Sequence, residues 1–332
     1  MRGAAGRSGA EVTRLRSQGM TRYLASRLAG MVIVMLLVAT LVFFITRLAP
    51  GDPAAVMLGE QASAADIAQL RASYGLDKPL PVQFAYWLGE LAQGNLGQSI
   101  FLQRPVTQAL MERAEPTFFL TLFSIIIATL IGVPCGIVAA VWRGKAIDQF
   151  FSGFAMLGAS VPSFWFGLIL MQIFAVSLGW FPVAGYGDPG VPLAERLHHL
   201  VLPSIVLGVV NSALILRFTR ASMLDVLSDD YIRTARAKGL SDARVVLRHA
   251  LGNALIPVIT VLGLTFALLI GGAIVTETVF GLPGVGNLVV SAVLRRDYPV
   301  IQGALLVIAG LYVLINLAID LLYLVVDPRV KY

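Results

Sequence analysis

The chain has 332 residues, of which 57% are hydrophobic and 13% charged, with a mean hydropathy of +0.81. Soluble domains carry roughly a quarter charged residues, so this composition excludes an ordinary water-soluble protein and points to a lipid-facing surface. The formal net charge of +6 invites a nucleic-acid partner, but its distribution fits membrane orientation instead, and the single cysteine, Cys135, excludes an internal disulfide and any multi-cysteine metal site.

Residues 1–23 are read as an N-terminal tail: residues 1–19 are Gly/Ala/Arg-rich and unpatterned, and Met20-Thr21-Arg22-Tyr23 looks like a natural start. Six segments are long and apolar enough to span a bilayer, at residues 24–46, 116–142, 149–177, 200–220, 253–276 and 300–326. The first is uncharged from Leu28 to Thr46. That is longer than the core of about 7–15 residues in a cleavable signal, so it is read as an uncleaved helix. Backbone amides in hydrocarbon need internal partners, so each span is expected to be helical, with Pro134 and Pro162 kinking the second and third.

Residues 47–112 form a long connection with turn chemistry (Pro50-Gly51-Asp52-Pro53, Gly94-Asn95) between amphipathic stretches such as Asp66–Tyr74. A small folded cap over the outer mouth is predicted. The other long connection, residues 221–252, is basic, helix-rich and free of proline. Placing the N-terminus inside puts 17 of the 25 basic residues on the inner side and 8 on the outer. The positive-inside rule therefore puts both termini, including residues 327–332, in the cytoplasm.

Within the second connection, Ser228 or Asp229 is placed to cap a short helix and Gly239 to end it in the left-handed conformation. Tyr231, Thr234, Ala235 and Lys238 then fall on one side at i, i+3, i+4, i+7 spacing, and the small residues there invite close approach by another protein. Ser241-Asp242 starts a second helix back toward the membrane.

The stretch Asp230–Ser241 resembles the EAA loop of binding-protein-dependent ABC importer permeases, in the version of the dipeptide and oligopeptide branch. Arg233, Thr234 and Ala235 occupy the E-A-A positions and Gly239 the glycine; His249 and Leu251 fall at the I and L positions, and Gly252 stands where the family has proline. Further strings resemble the same branch: Arg47–Ala54, Tyr74–Gln83, Gly94–Ser99, Glu277–Gly286 and Asp327-Pro328-Arg329.

The resemblance implies an all-α integral membrane protein. Its six transmembrane helices would have the ABC type-1 importer permease fold, with a folded outer loop after helix 1 and the type-1 core over residues 113–326. It implies that Tyr231, Arg233, Thr234, Ala235, Lys238, Gly239 and Leu240 couple to an ATPase. The implied partners are a second homologous permease subunit, two cytoplasmic ATPase subunits and a periplasmic solute-binding protein, in the bacterial inner membrane and its lipid. No G-x-x-x-x-G-K-[ST] loop occurs, so ATP belongs to the partners and no cofactor is expected on this chain. The expected cargo is a di- or oligopeptide, although importers of nickel, glutathione and oligosaccharides resemble this branch too.

Asn211, Ser212, Gln172 and Asn316 either line a translocation path or serve as hydrogen-bond glue between helices. Asp320, near the inner end of the last span, is read as one half of an interfacial ion pair with the inner loop. Gly185-Tyr186-Gly187-Asp188 reproduces an intramembrane aspartyl-protease string, but Pro182, Pro189 and Pro192 make it an outer turn. Ser160 runs into Pro162, and neither His198 nor His199 has a visible orienting partner, so no catalytic residue is assigned and no metal site is expected. Gly281–Gly286 is read as an outer-gate turn or shallow re-entrant segment, and Gly271 and Gly272 as marking a subunit interface.

Overall fold

A computed structural model describes residues 9–48, 53–58, 62–73, 75–187 and 190–326 of the chain. The expected turn at 50–52, Tyr74, Asp188 and the C-terminal residues 327–332 lie outside the described residues.

Helix α1 (Gly9–Leu48) leads into a cap of three helices, α2 (Pro53–Leu58), α3 (Ala64–Ser73) and α4 (Leu80–Ala92). α1 is helical from well before residue 24, ahead of the boundary that composition suggests. α3 starts with a reciprocal cap: the Asp66 amide donates to Ser63 Oγ at 3.2 Å, and the Ser63 amide donates back to Asp66 Oδ2 at 3.3 Å. α4 docks on α1 through an aromatic cluster in which Phe43 lies 5.2 Å from Phe84 and 5.5 Å from Trp87, ring centre to ring centre.

α5 (Val106–Val141) begins ten residues before the expected span, and its internal Pro116 sits in the first third of the helix. α6 (Ala146–Ser160) and α7 (Ser163–Leu170) with a π-helical extension (Met171–Ser177) replace the single kinked span expected at 149–177. The two halves meet at 100°. The cause is local. Pro162 cannot donate a helical bond and pushes Val161 into extended geometry, φ −82°, ψ 124°.

Short α8 (Leu193–His199) precedes α9 (Val201–Leu227), which runs beyond the apolar run into the basic connection. There α10 (Asp230–Ala237), α11 (Asp242–Arg244) and a π-helical turn (Val245–Ala250) lead into α12 (Leu251–Val279). α13 (Val285–Leu294) and α14 (Tyr298–Val326) finish the chain. Five helices are long and apolar enough to cross a membrane, and the bent α6–α7 pair makes a sixth candidate.

The centre of the bundle is the α5–α9 pair. Gly132 and Gly136, one turn apart on α5, and Gly208 on α9 leave no room for a side chain: a Cβ on Gly136 would lie 2.6 Å from Thr219 Cβ, and one on Gly208 2.6 Å from Ile127 Cγ2. In lipid, where burial of apolar surface does not drive helices together, this close backbone contact is the main source of packing energy. α12 packs on both α5 and α9, and α1 runs antiparallel to α14. Arg27 pairs with Asp320 at 3.1 Å at one end of that pair, and Gln302 Nε2 donates to Thr46 Oγ1 at 2.6 Å at the other. The partner of Asp320 is thus a residue of the first helix, not of the basic connection.

Candidate functional site

α10 stands at the end of the bundle opposite the cap. Asp229 takes the extended N-cap conformation (φ −68°, ψ 148°) without a side-chain cap bond, and Gly239, at φ +80°, ends the helix in the left-handed region. The face that the spacing assigns to a partner divides in two. Tyr231, Arg233, Thr234 and Lys238 are exposed, whereas Ala235 is only 8% exposed and turns toward the chain's own body beside fully buried Ile232. Ile232 and Ala235 share one core with Ala140 of α5, Met223 of α9, and Val245, Val246, Ala250 and Ala254 of the return helix. The small residue at 235 is therefore required by packing within the chain, a correction to the one-faced reading. Leu240 is half-buried and packs against this core.

Hydrogen bonds fix the helix on the return side as well. Asn253 Nδ2 donates to the Tyr231 hydroxyl at 2.8 Å, and that hydroxyl donates to the His249 carbonyl at 3.3 Å. α9 and α12 are tied together nearby by Ser222 Oγ, which donates to the Ala254 carbonyl at 2.8 Å. What remains outward is a short basic ridge of Arg233, Arg236 and Lys238, with Arg233 and Arg236 in exposed ion pairs to Asp230 and Asp242. Those pairs add little to stability. The ridge is free to meet another protein.

A second polar centre on the same end went unread in the sequence. Asp148, 5% exposed near the start of α6, accepts a fork of bonds from Arg220 of α9, Nε at 2.6 Å and Nη2 at 2.8 Å, plus the Gly144 amide at 2.9 Å. It locks the bent span to α9.

At the cap end, Glu277 is fully buried after one of the most apolar stretches of the chain. Its Oε1 accepts from the Thr117 hydroxyl of α5 at 2.6 Å, its Oε2 from the Asn287 amide of α13 at 2.9 Å, and the Val285 amide donates to Thr117 Oγ1 at 2.8 Å. The carboxylate thus sits on the first-turn amides of α13, where an anion is favoured by the orphan N–H groups and the positive end of the helix. Gly284 and Gly286 explain the Gly281–Gly286 string: a Cβ on Gly284 would lie 2.2 Å from Glu277 Cδ. The string is a cradle for the chain's own carboxylate, followed by a ten-residue helix, and not a nucleotide loop.

The four proposed path residues are dispersed. The Asn211 amide donates to the Leu207 carbonyl at 2.8 Å and Ser212 Oγ to Val209 at 2.7 Å, both within α9; the Asn316 amide donates to the Tyr312 carbonyl at 2.9 Å within α14; Gln172 is exposed on the π-helical turn. Among the described residues no hydrogen bond joins any two of them. Gly271 has open space where a Cβ would be, on a face shared with α1 and α14.

The hydrolase strings resolve as turns and packing. Ser160 Oγ donates to the Met156 carbonyl at 2.9 Å, His199 Nδ1 lies 3.0 Å from the Gly185 carbonyl, and His198 stacks on Phe181. The Tyr186 hydroxyl donates to Glu115 at 2.9 Å, which also accepts from Arg196 at 2.7 Å. Burial first, and then the bond to Glu115, push the Tyr186 phenol well above its usual range. Among the described residues no group of three His, Cys, Asp or Glu is placed to hold a metal ion.

Residues 132–332 match the family described as "Binding-protein-dependent transport system inner membrane component", and residues 20–121 match its N-terminal companion, "Binding-prot-dependent transport system membrane comp, N-term". The chain is 47% identical over 311 residues to the probable peptide ABC transporter permease protein y4tP of Sinorhizobium fredii, covering 93% of this chain and 99% of that one. It is 47% identical over 313 residues to the glutathione transport system permease protein GsiC of Pectobacterium atrosepticum, covering 94% and 100%. The inward-facing MetNI methionine ABC transporter shares the fold: TM-score 0.55 at 20% identity, over 67% of this chain and 97% of that one.

Proposed function

Because the chain belongs to the binding-protein-dependent transport system inner membrane components, we propose that it forms the path by which a peptide crosses the bacterial inner membrane. It is a multi-pass permease subunit of an ATP-binding-cassette importer and not an enzyme. Such a permease works with ATPase and solute-binding partners. The finer arrangement is part of the proposal: two cytoplasmic ATPases, a second homologous permease, a periplasmic binding protein, and both termini in the cytoplasm. Peptides as cargo rest on the names of the relatives, one called a peptide permease and the other a permease for glutathione, itself a tripeptide.

One observation carries the coupling role: Ile232 and Ala235 of α10 are seated in a core shared by α5, α9 and the return helix, while Tyr231, Arg233, Thr234 and Lys238 stay outward. A push on the outward ridge is delivered to α9 and α12 together, because close-packed interiors shift as units. ATP would be bound by the partners only, and the chain supplies the lever.

Gly239 tests this. At φ +80° a side chain is strained by about 1–2 kcal/mol, yet no atom lies within 4 Å of where a Cβ would be. Gly239→Val should therefore leave insertion and folding intact while misdirecting the end of α10. ATP-dependent dipeptide uptake by the reconstituted complex should fall to near background; normal uptake would overturn the lever.

A further inference from the structure

A cavity of about 420 Å³ lies where the cap meets the ends of α1 and α14. That is within the range of small-molecule sites, roughly 300–1,000 Å³. Its walls come from Arg47 at the end of α1, from Lys78 in the turn before α4, from Gln83, Trp87 and Glu90 of α4, and from Tyr298 at the start of α14.

The charges in it are not balanced in pairs. Arg47 stacks over Phe43 at 5.2 Å and Lys78 over Tyr86 at 4.5 Å, and among the described residues neither has a carboxylate within ion-pair distance. Stacking on a ring positions a cation without neutralising it. Gln83 contributes the complementary gap. Its Nε2 is held by the Leu76 and Lys78 carbonyls at 3.1 and 2.8 Å, which fixes the amide, while Oε1 is buried with no donor among the described residues. A buried acceptor left unpaired is costly, so it marks a place for an N–H group. Glu90, whose carboxylate accepts from Asn95 Nδ2 at 2.5 Å, adds negative charge to the same wall.

Two cations and an acceptor without partners among the described residues, together with a carboxylate and aromatic faces in one cavity, match a small zwitterion. We propose that this cavity is a binding site for a peptide with free termini, its carboxylate on Arg47 and Lys78 and its ammonium toward Gln83 Oε1 and Glu90. The assignment rests on reading the chain as a peptide permease with the cap outside. The site would receive solute at the outer mouth, tied to the spans through the Gln302–Thr46 bond.

The test is equilibrium binding of radiolabelled dialanine to the full chain in phosphatidylcholine nanodiscs, with its co-purified partners and without nucleotide. Saturable binding is expected, with dialanine amide and N-acetyl-dialanine competing about tenfold less well, since each loses a charge-assisted contact. Arg47→Gln should weaken binding about tenfold and Lys78→Gln a few-fold. Lys78 is exposed, so its variant keeps the test valid even if Arg47→Gln perturbs folding. No saturable binding, equal competition by the blocked peptides, or unchanged affinity in both variants would overturn the site. So would displacement by added phosphatidylglycerol with no preference for free termini, which would assign the cations to lipid headgroups. If the complete complex imports dialanine while the cavity does not bind it, the cavity alone fails. If the complex imports no peptide at all, the peptide reading fails and takes the cavity with it.

Discussion

Glu277→Ala should be among the most destabilising single changes in the chain. In the structure the fully buried carboxylate accepts from the Thr117 hydroxyl and the Asn287 amide, and the Arg113 carbonyl, 3.4 Å from Thr117 Oγ1, is a much weaker acceptor for that hydroxyl. Removing it leaves the Asn287 amide unpaired and the Thr117 hydroxyl with that long bond, at up to about 1–3 kcal/mol each, or about 2–6 kcal/mol together. At roughly 2 °C per kcal/mol for a chain of this size, the thermal midpoint in detergent should drop by about 4–12 °C. Glu277→Gln, which keeps one acceptor, should fall between. Gly284→Ala gives the stricter check. Gly284 has φ −91° and ψ 178°, a conformation open to alanine, so any loss comes from the added Cβ striking Glu277 Cδ at 2.2 Å and not from the backbone. Removing the carboxylate vacates that space. The Glu277→Ala/Gly284→Ala double variant should therefore lose less than the sum of the singles. Strict additivity, or a Glu277→Ala protein that melts within a degree of the parent, would refute the cradle.

Three further outcomes follow from the same structure. Arg220→Ala strands the buried Asp148 carboxylate and should cost about 3–5 kcal/mol, with Asp148→Asn restoring much of the loss in a thermal melt of the double variant. Gly136→Leu has no space between α5 and α9, so it should prevent recovery of folded protein from the membrane as judged by size-exclusion profile, whereas Gly144→Ala, with nothing within 4 Å of its Cβ position, should be tolerated apart from its turn strain. Tyr186 is held protonated in the folded state, so its contribution is fully present below the unfolded phenol value of about 10 and is lost as pH rises toward the folded value. Thermal midpoints should therefore fall above about pH 10, and Tyr186→Phe should flatten that alkaline limb.

The spans were legible because apolar length in a membrane leaves the backbone one choice, which is why α5, α9, α12 and α14 lie over the expected runs. The bend at Val161-Pro162 was half legible: proline signalled a break, but its size depends on α7 finding a packing site against α9. α13 was missed because ten largely apolar residues between Gly284 and Arg295 are too few to span and too many for a turn. The inward face of α10 was misassigned for a different reason. A helix between two protein surfaces buries both sides, and periodicity does not say which surface is the chain's own; Ile232, the one bulky apolar side chain in Asp230–Ala237 besides Tyr231, was the available clue. Glu277 could not be read at all. Its partners lie 160 residues away and in backbone amides, so nothing in the local string announces a cradle.

The positions of these polar locks constrain how the permease moves. α12 is held at one end by the core around Ile232 and Ala235 and by the Ser222–Ala254 bond, and at the other by Glu277, which fastens it to α5 and α13. A displacement of α10 thus reaches α12 at its near end while the far end is pinned. The π-helical turn Val245–Ala250 lies between α10 and the body of α12, where its looser bonding is best suited to absorb a change of angle. A rigid α12 would transmit the push as a tilt about Glu277, widening or closing the bundle at the α10 end with little change under the cap. On that reasoning the cavity beside Arg47 keeps its shape through the cycle, and solute affinity there should be the same with and without nucleotide on the partner ATPases. A large nucleotide-dependent change in cap-side affinity would mean that the Glu277 pivot gives way.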